Sequence, residues 1–233
     1  STAAGRVEVW ELATRELVRA FSTGYGDISR LCIFPDGHHL ASSGAEEAVT
    51  VWALTGRHDR RPPKPSELSA AWAALGAPDA GVGYPAIRLL TSAGDRGTEV
   101  IAQGTKDLRA TQTKIDGWVG DLGSRSFTIR EAAAKELLAL GGRSLPALGR
   151  ATRADDTDVR DRARDLLLRL ETKGVRVPAH GLAGDALRLV RAVQALEQIG
   201  TPRATAVLRD LAAESGRPGE EAKEALGRLV KRP

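Results

Sequence analysis

Four histidines, a lone cysteine and a short aspartate run are the side chains of this 233-residue chain whose types could bind a metal or carry a reaction. None of His38, His39, His58 and His180 has a cysteine, a second ligand-type histidine or a paired carboxylate at metal-ligand spacing, and His38 and His39 fall in a turn where polar side chains belong anyway. Asp155, Asp156 and Asp158 resemble a cation cluster, yet they directly precede a helix expected from Val159, where acids are favoured by the positive end of the helix dipole. Ser42-Ser43-Gly44 lacks the nucleophile-elbow pattern, and Gly24-Tyr25-Gly26 is too short for a phosphate loop and leads into a strand. Cys32 lies between Leu31 and Ile33, where a thiol packs as a small apolar group. The residues therefore predict no catalytic group, no metal, no cofactor and no small-molecule substrate, and the chain is expected not to be an enzyme.

The remaining chemistry is cationic. Arg57, Arg60, Arg61 and Lys64 sit within nine residues, giving 57–65 a net charge of +3, and 123–233 carries +6, against −3 for 1–56 and −2 for 66–122. These four side chains are the candidate contacts to nucleic acid or to an acidic partner. Basic residues spread among acids at helical spacing do not form the one-sided patch that phosphate binding favours. From residue 123 onward Phe127 is the sole aromatic, so base stacking has almost no support there.

These groups must be positioned by a folded framework. A hydrophobic fraction of 42% with 27% charged residues excludes disorder, and no apolar run approaches the roughly 20 residues of a membrane span. The cytoplasm is the default expectation. The chain begins at Ser1 and contains no methionine, so it is expected to be part of something longer. Arg6-Val-Glu-Val-Trp10 and Ala48-Val-Thr-Val-Trp52 alternate as strands do, with their tryptophans 42 residues apart. Between them lie strand-like Leu17–Phe21, Ile28–Phe34 and His39–Ser43, and Pro35-Asp36-Gly37 supplies a tight turn. Four strands per period of about 40 to 45 residues is the arithmetic of a propeller blade.

Phe34-Pro-Asp-Gly-His-His-Leu-Ala-Ser-Ser-Gly44 followed by Thr50-Val51-Trp52 resembles a WD repeat, and the likeness covers 17–54. The family's Gly-His is replaced by Gly24-Tyr25-Gly26, its aspartate between the second and third strands by Glu46 or Glu47, and the aspartate after tryptophan by Glu11 and Ala53, so the family's hydrogen-bonded tetrad is incomplete. A propeller closes with no fewer than about four blades. One repeat plus two strands of another therefore reads as the last blade of a truncated propeller, a sheet with raw faces or edges.

Arg57-His-Asp-Arg-Arg-Pro-Pro-Lys-Pro65 can neither pair in a sheet nor continue a helix. The expected division is a propeller fragment over 1–56, a basic Pro-rich linker over 57–65 and an all-α domain over 66–233, with clear repeats over 127–231. Alanine recurs at 133, 163, 192 and 222, leucine at 137, 167, 196 and 226, and a third apolar residue at Leu140, Leu170, Ile199 and Leu229, with spacings of 30, 29 and 30 in each column. Offsets of four and three place the three columns on one helix face. Gly141, Gly142 and Gly200 can end helices, and Ser144 or Thr201 can start the next with Pro146 or Pro202 in the first turn.

The segments Ile129–Gly141 and Arg191–Pro202 resemble HEAT-like repeats of the short bacterial type, and the chain as a whole is similar to the end of a large bacterial WD-repeat protein followed by its helical tail. The resemblance implies an α+β chain in separate domains, a partial antiparallel β-propeller blade followed by an all-α HEAT-like solenoid. Such repeats imply a protein-interaction scaffold with other proteins as partners. The alternative is a nucleic-acid-binding module that uses the basic linker and helical tail.

Overall fold

The computed structural model describes residues 5–24, 26–34, 39–44, 49–54, 61–175, 182, 184–214 and 216–231. Five strands come first: β1 (Arg6–Glu11), β2 (Glu16–Ser22), β3 (Ile28–Ile33), β4 (His39–Gly44) and β5 (Val49–Ala53). Nine α-helices follow among the described residues: α1 (Pro65–Ala74), α2 (Ala80–Ser92), α3 (Asp95–Asp121), α4 (Phe127–Leu140), α5 (Leu145–Ala151), α6 (Thr157–Thr172), α7 (Gly184–Ile199), α8 (Pro202–Ala212) and α9 (Arg217–Val230). The coarse α+β expectation thus holds, with antiparallel sheet first and helices after it.

The strands form two sheets and not one four-stranded sheet. β2 pairs back onto β1, with Val7 opposite Phe21, while β3, β4 and β5 make a separate antiparallel sheet in that order. Chain reversal after Glu11 explains the first pairing: Arg15 takes a positive φ of 59° and its N–H bonds the Glu11 carbonyl, which returns β2 alongside β1. Val7, Leu40 and Leu54 are buried together, with Val9, Phe21, Ile28 and Trp52 packed on them. The turn expected at Pro35-Asp36-Gly37, and Tyr25, Glu46 and Glu47, lie outside the described residues.

The chain divides into two compact units, one of residues 1–101 and 181–233, the other of 102–180. This differs from the division expected at the proline-rich linker. In the first unit the strands share a unit with α1, α2, α7, α8 and α9, because β2 packs on α2 and a buried ion pair joins β1 to α7. The α3 helix begins in this unit, and its residues from Ala102 belong to the second.

Local signals in the sequence become the helix ends. The Asp156 carboxylate accepts from the N–H groups of Asp158 and Val159 at 2.8 and 3.2 Å, so the aspartate run opens α6. Thr201 accepts from Ala204 N–H at 3.2 Å, with Pro202 at the first helical position. Gly141 and Gly200 stop their helices with positive φ of 56° and 65°, which glycine adopts without a Cβ clash. Ser144 departs from its expected role: its hydroxyl donates back to the Gly141 carbonyl across a 3-10 turn over Gly141–Arg143.

The repeat columns all point inward. The four alanines are buried, Leu137, Leu170 and Leu196 are fully so, and the other five are half-buried. The copies divide two and two. Ala133, Leu137, Ala163 and Leu170 belong to the core of the second unit, where α6 packs on α4 and α5. Ala192, Leu196 and Ala222 belong to that of the first, where α7, α8 and α9 pack on one another. Arg130 and Arg160 also keep the register: each donates to two carbonyls just before its own helix, Ser124 and Arg125 for one, Ala154 and Asp155 for the other.

Candidate functional site

The linker cations do not assemble into a patch among the described residues. Arg57 and Arg60 lie outside those residues, as do His38, His58 and His180. Arg61 is held by Glu67 at 2.5 Å, and the Lys64 backbone N–H donates to the same carboxylate at 2.7 Å. Lys64 is the N-cap of α1. The Lys64 N–H and then Arg61 hold the Glu67 carboxyl below its ordinary value of 4.5. Arg61 and Lys64 thus serve the start of a helix, where Glu67 reaches back to the N-cap N–H as one half of a capping box and also holds Arg61.

Several cations of the C-terminal region stand beside an acid, within a segment whose net charge is +6. In the second unit Arg162 pairs with Asp158, Arg164 with Asp161 and Arg169 with Asp165 along α6, and Arg150 pairs with Asp116 at 3.3 Å. Such exposed pairs contribute about 0 to 1 kcal/mol each, and they lower the outward positive potential. Among the described residues no group of three or more His, Cys, Asp and Glu could hold a metal ion, and no helix is long and apolar enough to cross a membrane.

The open apolar surface lies on the three-stranded sheet. Cross-strand partners share a face, so the pairs Ile33–Leu40–Trp52 and Leu31–Ser42–Thr50 define one side and Cys32–Ala41–Val51 the other. On the first side Leu40 and Ser42 are buried, and Trp52 Nε1 donates to the Ser42 hydroxyl at 2.8 Å. Even there the β3 edge is bare, with Ile33 64% exposed. The second side is open: Val49 and Val51 are 67% and 54% exposed, and Cys32 and Ala53 are exposed beside them. Alternation in Val49-Thr-Val-Trp52 gives two faces, one with the valines and one with Thr50 and Trp52. The half-buried residues of β5 are Thr50 and Trp52, because Trp52 reaches Ser42 and the Phe21 ring, 5.4 Å away between centroids.

A second arrangement, one that sequence reasoning passed over, anchors this β-region. Arg191 of α7 is fully buried, and its Nε and Nη2 donate to the two carboxylate oxygens of Glu11 at 2.7 and 2.6 Å. Its Nη1 donates to the carbonyls of Leu75 and Ala77, at 2.9 and 2.5 Å, just past the end of α1. Thr14 donates to Glu11 at 2.6 Å. A Cβ on Gly83 would stand 2.2 Å from the Arg191 guanidinium, so only glycine leaves room for it. One signal was present. Leu187, Arg191 and Ala195 follow at i, i+4 and i+8, so a cation interrupts a helix face that is otherwise apolar and buried. The arrangement is structural: it satisfies both carboxylate oxygens and three guanidinium nitrogens inside the protein.

The chain matches no protein-family model, no curated protein and no solved structure.

Proposed function

We propose that this chain is a non-catalytic protein-interaction scaffold whose docking face is the open side of the β3–β4–β5 sheet. The carrying observation is that Val49, Val51, Cys32 and Ala53 share this side of the sheet and are all more than a third exposed. Covering a side chain of this size contributes about 1.5 to 3 kcal/mol, so a few of them form the centre of a protein interface. The resemblance to WD repeats agrees with this, since a blade is covered on both faces by its neighbours, and the half-buried Trp52–Ser42 pair is a side-chain hydrogen bond of the type it implies. On this reading the HEAT-like helices add further binding surface and a rigid support. The same reading makes the chain bacterial, with other proteins as its partners.

The test is capture of partners from cells of the source organism by the wild-type chain and by the Val49→Lys/Val51→Lys variant, with circular dichroism to show that both are folded. A protein retained by the first and lost from the second supports the proposal, and equal retention refutes it. Binding to mixed-sequence DNA as salt rises distinguishes the alternative. A steep fall of affinity with salt would favour a nucleic-acid module, whereas the Arg61–Glu67 pair and the paired arginines of α6 argue for weak binding at any salt.

A further inference from the structure

In the second unit α4 and α6 are successive copies of the thirty-residue repeat, so each residue of one has a counterpart thirty positions on in the other. The inward column is covered in both, with Ala133 and Ala163 in the core of the unit. The flanks of the two helices differ. On α6 the flank that carries Val159, Arg162 and Leu166 is covered. Val159 is 8% exposed, Leu166 is buried, and Arg162 Nη1 donates to the Leu122 carbonyl at 2.6 Å, in the turn that leads into α4. Gly123 of the same turn lies against Val159, since a Cβ there would stand 2.9 Å from the valine Cγ2. The counterparts on α4 are Ile129, Ala132 and Glu136, and all three are exposed, Ile129 at 46%.

The opposite flank inverts the pattern. On α4 Ala134 and Leu138 pack against the core of the unit, whereas their counterparts Arg164 and Leu168 are exposed, Leu168 at 60%. At about 100° per residue the two flanks lie on nearly opposite sides of a helix. With α6 packed on α4, one flank of each kind is covered and one of each kind is left bare, on opposite sides of the pair. The bare flanks also carry charges that the covered ones lack: Glu136 stands where α6 has Leu166, and Arg164 where α4 has Ala134. One end of the pair therefore gains an acid and the other a cation. The next copy in sequence is committed elsewhere, because α7 places Ala192 and Leu196 in the core of the first unit.

We propose that the second unit stacks head to tail on a second copy of this chain. The Arg164 and Leu168 flank of α6 in one copy meets the Ile129, Ala132 and Glu136 flank of α4 in the other, so the packing of α6 on α4 is repeated between molecules. Such a contact is heterologous: each molecule offers two different surfaces, and every contact leaves one free at either end. Repeat arrays need polar end faces to stop this growth. Here each end keeps an apolar side chain, Ile129 or Leu168, beside its charge. Two helix flanks bury little area, so association is weak and depends on concentration. The contact joins copies of one chain and is separate from the docking proposed for the open sheet face, where the partner is a different protein.

The test is sedimentation velocity of the full chain from about 5 to 500 µM, a range that resolves a contact with a Kd near 100 µM. The weight-average sedimentation coefficient should rise through the range without a plateau at the dimer. Leu168→Lys and Ile129→Lys, each shown to be folded by circular dichroism, should sediment as monomers, because the intact end of either variant finds no intact complement. Mixed in equal amounts they should associate again and stop at a dimer, since Leu168→Lys keeps its α4 end and Ile129→Lys its α6 end. Val49→Lys/Val51→Lys should associate as the wild type does, which separates this contact from the sheet face. A wild-type chain still monomeric at about 500 µM, single variants that associate like wild type, or a mixture that stays monomeric would each overturn the proposal. Loss of association in Val49→Lys/Val51→Lys alone would place the contact between copies on the sheet and overturn it as well.

Discussion

Replacing Arg191 with methionine tests whether the buried ion pair holds the strands to the helices. Arg191 is fully buried and Glu11 nearly so, and their two contacts are 2.6 and 2.7 Å long. Methionine keeps much of the volume but leaves the Glu11 carboxylate facing protein instead of a cation, and leaves the Leu75 and Ala77 carbonyls without their donor. Removing one partner of a buried pair costs about 3 to 5 kcal/mol, most of it from the stranded charge. For a unit of this size that is a fall in Tm on the order of 10 °C. The Arg191→Met/Glu11→Met double variant removes the stranded charge, so it should recover a large part of the loss. Urea unfolding of the two single variants and the double variant, followed by circular dichroism, measures the coupling directly. A coupling of about 2 kcal/mol or more is expected. A loss below about 1 kcal/mol for Arg191→Met, or additive effects, would refute the reasoning.

Three further outcomes follow from the same geometry. Gly83→Ala places a Cβ 2.2 Å from the Arg191 guanidinium and should cost about 1 to 3 kcal/mol in wild type but less in an Arg191→Met background, as urea unfolding of both pairs will show. The Glu67 carboxyl should titrate below 4.5 by carbon NMR and rise only part of the way in Arg61→Ala, because the larger influence, the Lys64 N–H, survives. Since its folded pKa is depressed, Glu67 supports the start of α1 above its unfolded pKa and loses that support as pH falls through the folded value, which amide exchange at Lys64 will report. Leu137→Ala and Leu196→Ala should each cost about 2 to 5 kcal/mol, and hydrogen exchange should place the loosening within 127–170 for the first and within α7, α8 and α9 for the second.

Short-range features were legible in the sequence. Asp156, Thr201, Gly141 and Gly200 act within a few residues of themselves, so their types alone specify helix ends. The alanine columns were legible because a position that excludes larger side chains must repeat whenever the same helix contact repeats. Pairings across long separations were not. Glu11 and Arg191 are 180 residues apart, and neither side chain announces its partner. The two-and-two division of the repeats depends on how α2 packs on α7, which the 30-residue period does not encode. Which face of β5 is covered was not legible, because alternation gives two faces without saying which packs; the Trp52–Ser42 bond decides that. The linker arginine at 61, conspicuous in sequence, proved to be paired within its own helix start.

The most direct measurement of the central claim is site-specific photo-crosslinking in cells of the source organism, with the reactive group at position 51 on the open sheet face or at position 161 on the charged face of α6. The account predicts a discrete adduct with another protein from position 51 that is lost when Val49 is changed to lysine, and none from position 161. No adduct from position 51, or the same adducts from both positions, would contradict it.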